Sequence, residues 1–216
     1  MKLWHLFRKQ DCPAPAPPPR QLEKRLLVIA DTHGHLSYSD PLRLLPVIAS
    51  GKAADIVCFL GDHDMRDLAR ILPMLEGKRC LGVPGNHDAS DIYDTLPIEN
   101  IHGRVIEVAG IRIAGFGGCP RYKNDMRYAL YTEDEASACL EQLPAADIFL
   151  SHANPFDKEA AVCGDVAHAG FLAIDHYIAR TRPACHLYGH LHKNSDYTDA
   201  SGCRHICTYG AGLVSV

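Results

Sequence analysis

Long apolar runs are missing from this 216-residue sequence. None approaches the ~20 residues of a membrane-crossing helix, so no transmembrane segment is expected. A surplus of basic charge is missing too: 22 Lys and Arg stand against 26 Asp and Glu, a net charge of −4. That balance argues against a protein that grips nucleic acid on a broad basic face, though a local basic groove stays open. The nine cysteines lack any framework; their number is odd and no two form a CxxC. They read as reduced, mostly buried thiols of a cytoplasmic protein. Cys203, His205 and Cys207 alternate as strand residues do, and a structural zinc wants four ligands. Phenylalanine is scarce at six while histidine reaches 13, which turns attention to metal or proton chemistry.

Apolar residues make up 47% of the chain, enough for one domain to bury a sizeable core without staples. Residues 11–20 (DCPAPAPPPR) are half proline and read as an extended linker. Residues 1–10, too short for a secretory signal, read as a loose tail, with a weak surface anchor through Leu3, Trp4, Leu6 and Phe7 as the alternative. An N-terminal extension is therefore expected over 1–25 and one domain over 26–216. From Leu26 onward, strand-length apolar runs at 26–30, 56–60, 80–83, 148–150 and 185–188 alternate with helical patterns. The helical patterns cover 41–49, 66–75, 133–143 and 170–179. This rhythm predicts an α/β fold with a largely parallel core sheet. Arg104–Val108 and Ile111–Phe116, joined by Ala109-Gly110, predict a hairpin. With a late strand at 204–209, it suggests a second, more antiparallel sheet. Residues 117–131 lack periodicity and read as a long functional loop.

Each of the five apolar runs leads into a polar cluster: Asp31-Thr-His33, Gly61-Asp62-His63-Asp64, Gly85-Asn86-His87-Asp88, Ser151-His152 and Gly189-His190-Leu191-His192. Ligands of open α/β sheets bind outside the C-terminal edge, so clusters far apart in sequence arrive at one place. Asp31 and His33 are two apart, as are His190 and His192, so each pair can share a face. Adding Asp62, Asn86 and His152 gives seven oxygen and nitrogen donors, more than one tetrahedral ion takes. Seven donors suit two ions, with Asp62 as the natural bridge because a carboxylate has two oxygens. Donors without sulfur favour manganese, iron or zinc. Two such ions activate a bridging water and steady an in-line displacement at phosphorus. His87, beside Asn86 but not needed as a ligand, is then expected to protonate the leaving oxygen.

D-x-H, G-D, G-N-H-D, S-H and G-H-x-H, in that order, resemble the signature of the calcineurin-like metallophosphoesterases. The resemblance covers about 26–216. It implies a four-layer αββα fold, a β-sandwich of two mixed sheets flanked by helices. It implies one ion held by Asp31, His33, Asp62 and His192, and another by Asp62, Asn86, His152 and His190, with manganese foremost. It also implies His87 beside the scissile ester. The small size and Gly117-Gly118 with Arg121-Tyr122 look more like compact bacterial phosphodiesterases than large phosphoprotein phosphatases. One departure stands out. Many members read G-D-x-x-D, the last Asp orienting the catalytic histidine, whereas here position 65 is Met and Asp64 lies one residue earlier. Either Asp64 or Asp88 takes over that role, or His87 is less firmly held.

His35, His63 and His168 are further candidates to line the cleft. Arg121, Tyr122, Lys123 and Asn124 are candidate contacts to a substrate phosphate or base, whereas Tyr128 and Tyr131 read as packing residues. The expected substrate is a small phosphate ester, a phosphodiester foremost, with nucleic acid disfavoured by the charge. The rivals are a catalytically silent scaffold of the same fold and a nuclease acting on nucleic-acid ends. Nothing in the sequence fixes the oligomeric state.

Overall fold

The computed structural model describes residues 22–34, 41–89 and 91–216. Most of the expected N-terminal extension, and His35, lie outside the described residues. Two sheets stack face to face. The first has the order β13-β1-β2-β3-β4. Here β1 (Arg25–Ala30), β2 (Ile56–Phe59), β3 (Arg79–Gly82) and β4 (Glu99–Asn100) run parallel, and β13 (Gly210–Ser215) pairs antiparallel with β1. The second has the order β11-β12-β10-β9-β6-β5. Its strands are β5 (Arg104–Val108), β6 (Ile111–Phe116), β9 (Ile148–Ser151), β10 (Cys185–Tyr188), β11 (Ser195–Thr198) and β12 (Arg204–Cys207). A two-stranded parallel pair, β7 (Cys119–Pro120) with β8 (Leu130–Tyr131), organises the long loop.

Period-two burial makes the layers. Leu26, Val28 and Ala30 of β1 face the second sheet, where they join Ile113, Ile148, Leu150 and Leu187. Leu27 and Ile29 point the other way, onto Leu44 and Ile48 of α1 (Pro41–Ser50) and Leu68 and Ile71 of α2 (Met65–Ile71). On the outer face of the second sheet, Phe116 and Phe149 pack with Leu140 of α3 (Glu133–Gln142) and with Ile174 and Tyr177 of α5 (Leu172–Thr181). The result is the expected αββα sandwich. Both faces of each central strand are buried, which is why those strands read as unbroken apolar runs.

Three differences from the sequence reading have physical causes. The expected single parallel core is divided: β1, β2 and β3 belong to one sheet, β9 and β10 to the other. The second sheet is parallel through its centre, β12-β10-β9-β6, and antiparallel only at its edges. Apolar runs carry no information about which sheet a strand joins. The pattern at 66–75 yields an α-helix only to Ile71, followed by a 3₁₀ turn at Leu72–Leu75. Pro73 has no amide hydrogen to continue the α ladder. The hairpin forms as expected, with Ala109 and Gly110 both at positive φ, the requirement of a tight two-residue turn. Among the described residues, no helix is long and apolar enough to cross a membrane.

Candidate metal centre

The C-terminal ends of β1, β2, β3, β9 and β10 meet along one rim of the sandwich, and each ends in one of the five clusters. Immediately past the strands the backbone leaves ordinary conformations. Asp31, His33, Asp62, His190 and His192 all have positive φ, five of the eight non-glycine residues that do among those described. Such positions are costly and persist only where surrounding structure holds them. Here the loops are tied to one another. The Asp31 amide donates to Gly61 O at 3.0 Å and the His33 amide to Asp62 O at 3.2 Å. Asp31 Oδ2 accepts from the His190 amide at 2.8 Å, and Asp62 Oδ1 from the His87 amide at 2.8 Å. Gly61 and Gly85 let the second and third loops touch backbone to backbone; a Cβ on either would overlap the other loop.

The side chains form two clusters. Asp31, His33 and His192 bring one donor atom each within 4.8 Å of one another, and so do Asp62, His152 and His190. His33 Nε2 lies 3.1 Å from His192 Nε2, and these two atoms are 3.9 and 3.7 Å from Asp31 Oδ1. Asp62 Oδ2 stands between the clusters, 3.6 Å from His33 Nε2 and 3.7 Å from His152 Nε2. Asn86 Oδ1 is 2.8 Å from His152 Nε2. All seven expected donors therefore converge.

Several features of this arrangement suit cations. Asp31 Oδ1 is fully buried and accepts no hydrogen bond. His152 Nδ1 donates to Leu60 O at 2.7 Å, which leaves the Nε2 lone pair facing two oxygens. Burial keeps that ring neutral, its pKa pushed down to about 3. His190 Nε2 donates to Ala167 O at 2.8 Å, leaving Nδ1 as the open donor, and burial together with the His152 ring holds its pKa well below the usual value. Burial raises Asp31 strongly, the neighbouring Asp62 adding to it. Burial also pushes Asp62 up to about 6, against the opposing pull of the His87 amide, the His87 ring and the Lys123 ammonium. Carboxylates and imidazole lone pairs are gathered at close range in both clusters, and this donor set fits a pair of divalent ions.

Around the clusters the other expected residues separate by role. His87 is exposed at the mouth, its ring edge-on to His33 with 5.4 Å between centroids. Asp88 is buried and accepts three amides: Asp62 at 2.7 Å, Gly85 at 2.8 Å and His63 at 2.9 Å. It fixes the loops rather than the His87 ring. Asp64 does not turn to the site; it caps α2 through the Arg66 amide and pairs with the Arg66 guanidinium. His63 is buried against Thr32. His168 lies 4.7 Å from the His190 ring and is held by Asp165 at 2.8 Å, in the stretch between α4 (Lys158–Val162) and α5. Tyr122 Oη is 3.4 Å from Asn86 Nδ2. Arg121 faces away, bonded to Glu135 at 2.8 Å and to Leu130 O. Tyr131 packs on His102, while Tyr128 bridges backbone to backbone with Ala89. The carbonyls of Leu60 and Ala167, which orient His152 and His190, were not foreseen; a backbone acceptor leaves no trace in residue type.

No curated protein matches this chain. Among solved structures, TT1561 of Thermus thermophilus is similar at 18% identity and a TM-score of 0.62, over 90% of this chain and 95% of that one. Phosphopantetheinyl hydrolase from Mycobacterium tuberculosis is similar at 14% identity and a TM-score of 0.57, over 87% and 90%. A dimetal phosphatase from Danio rerio is similar at 14% and 0.53, over 87% and 88%. At these identities the likeness is one of fold. A family model described as calcineurin-like phosphoesterase matches residues 24–194, the stretch that carries all five clusters, and the chain belongs to that family.

Proposed function

We propose that this protein is a dinuclear metal-dependent phosphoesterase that cleaves small phosphodiesters, with residues 26–216 as its catalytic domain and residues 1–25 as an extension. The observation that supports it most is the placement of Asp62 Oδ2 within 3.7 Å of an imidazole nitrogen from each cluster. Asp31, His33, Asp62 and His192 would hold one ion, and Asp62, Asn86, His152 and His190 the other, manganese foremost and iron or zinc as alternatives. Bound there, such ions supply Lewis acidity toward phosphoryl oxygens and a water acidic enough to ionise near neutral pH. Leu60 O and Ala167 O fix the two buried imidazoles so that one nitrogen of each stays open. The His87 amide holds Asp62, and its exposed ring is free to deliver a proton to the leaving oxygen. A diester suits the surroundings, because Arg66, Arg121 and Arg127 beside these loops are engaged with Asp64, Glu135 and Asp125 rather than gathered for a phosphate dianion. The eight cysteines among the described residues are all free thiols, which suits a reducing compartment, the cytoplasm.

Hydrolysis of bis-p-nitrophenyl phosphate against p-nitrophenyl phosphate tests this reading, first on stripped protein and then with Mn²⁺. The expected result is metal-dependent diester cleavage exceeding monoester cleavage, with a loss of about 10²-fold or more in His87→Ala. Faster monoester cleavage would make it a phosphatase. No turnover by a protein carrying two ions would favour a silent scaffold.

A further inference from the structure

The long loop brings one cation to the mouth of the site without an ion-pair partner among the described residues. Tyr122 reaches Asn86 with its hydroxyl, and the Tyr128 backbone bridges Ala89, so the two tyrosines bracket the segment that carries His87. The Lys123 ammonium sits between them, 4.1 Å from the Tyr128 ring centroid and 5.3 Å from that of Tyr122. Other charges of the loop are satisfied elsewhere. Arg121 is clamped to Glu135, and Arg127 occupies both oxygens of Asp125, the acid closest to Lys123 in sequence. No ion pair among the described residues uses Lys123. Two aromatic faces hold a half-buried ammonium in place without neutralising it, so it is ready to receive an anion.

Resting on the phosphoesterase reading above, we infer that Lys123 anchors a second phosphate-type anion on the leaving part of the substrate. The bracket explains the side: Lys123 stands over the loop of His87, the group expected to face the leaving oxygen. The natural substrate is then a diester whose leaving alcohol is itself phosphorylated or joined to a further phosphate.

Binding separates the two claims. Isothermal titration calorimetry on the metal-loaded protein would compare methylphosphonate, with one anionic group, against diphosphonates with one-, two- and three-carbon spacers. Wild type is expected to bind at least one diphosphonate about fivefold more tightly than methylphosphonate. In Lys123→Met, which keeps the bulk and removes the charge, that advantage should vanish while methylphosphonate still binds. Lys123→Arg should restore most of it. An advantage that survives in Lys123→Met, or no advantage in wild type, overturns the inference and leaves the phosphoesterase reading intact. Failure of methylphosphonate to bind the metal-loaded wild type overturns both.

Discussion

Replacing Asp88 with alanine tests how the metal loops are held together. Its carboxylate is 2% exposed and accepts the amides of Asp62, His63 and Gly85. Alanine would orphan three buried donors, each worth about 1–3 kcal/mol when left unsatisfied. Partial relaxation and entry of water reduce the sum, and a loss of about 3–5 kcal/mol is expected, comparable to breaking other buried networks. Against a total stability of roughly 5–15 kcal/mol, that leaves a folded but weakened protein. The cost should depend on pH. Burial, with the nearby Asp62 adding to it, raises the Asp88 pKa to about 7 despite the three amides. The native state therefore keeps this proton to about pH 7, whereas the unfolded chain has lost it by about pH 5. The Asp88 contribution to stability then falls as pH rises through 7, by about 1.4 kcal/mol between pH 6 and pH 8. Alanine lacks that decline, so its deficit should be largest at pH 6 and smaller by about 1.4 kcal/mol at pH 8. Urea unfolding in EDTA at both pH values measures this. Asp88→Asn keeps an acceptor for some of the amides and should cost about 1–2 kcal/mol. A deficit for alanine below about 1 kcal/mol at pH 6, or one that grows with pH, would mean that Asp88 does not hold the loops in this way.

Three further outcomes are expected. Metal affinity should fall by about tenfold or more per pH unit below 6, because the Asp62 carboxyl, at about 6 in the metal-free protein, must release its proton to bind and the raised Asp31 adds to the effect; competition with a chromophoric chelator between pH 5 and 7 checks this. Gly85→Ala should reduce bound metal below two per chain by elemental analysis, since its Cβ would overlap the Asp62 carboxylate and amide. His186 is buried between Phe149 and Tyr188 with its pKa held well below the usual value, mainly by burial. It stays neutral when folded but gains a proton below about pH 6.5 when unfolded, so its contribution is present above that value and lost as pH falls. His186→Phe should therefore flatten the acid side of the stability profile, by up to about 1.4 kcal/mol per pH unit between pH 6 and pH 5, as read from urea midpoints.

Much of the site was legible because its chemistry lies in residue type and order. Asp31, His33, Asp62, Asn86, His152, His190 and His192 each follow an apolar run, and a strand that ends at a rim delivers whatever comes next. The partners of those residues were less legible. Asp64 opens a helix, and Asp before a helical pattern is a capping signal in its own right, which competes with a role as the partner of His87. Arg121 and Tyr122 are neighbours in a loop without periodicity, yet the β7–β8 pairing turns one toward Glu135 and the other toward Asn86. Only the backbone path decides that.

The positive-φ residues show why the divided sheets matter to the chemistry. Strand geometry would send Asp31 and His33 to the same side of β1 by alternation, but neither residue is in a strand conformation. What turns them is the close approach of loops from both sheets: Asp31 is held by the Gly61 carbonyl from the first sheet and the His190 amide from the second. One cluster likewise draws Asp31 and His33 from the first sheet and His192 from the second; the other draws Asp62 from the first and His152 and His190 from the second. Neither cluster exists within a single sheet. The apolar contacts between the sheets, Leu26 and Val28 against Ile148 and Leu187, therefore set the spacing of the donors as well as stabilising the core.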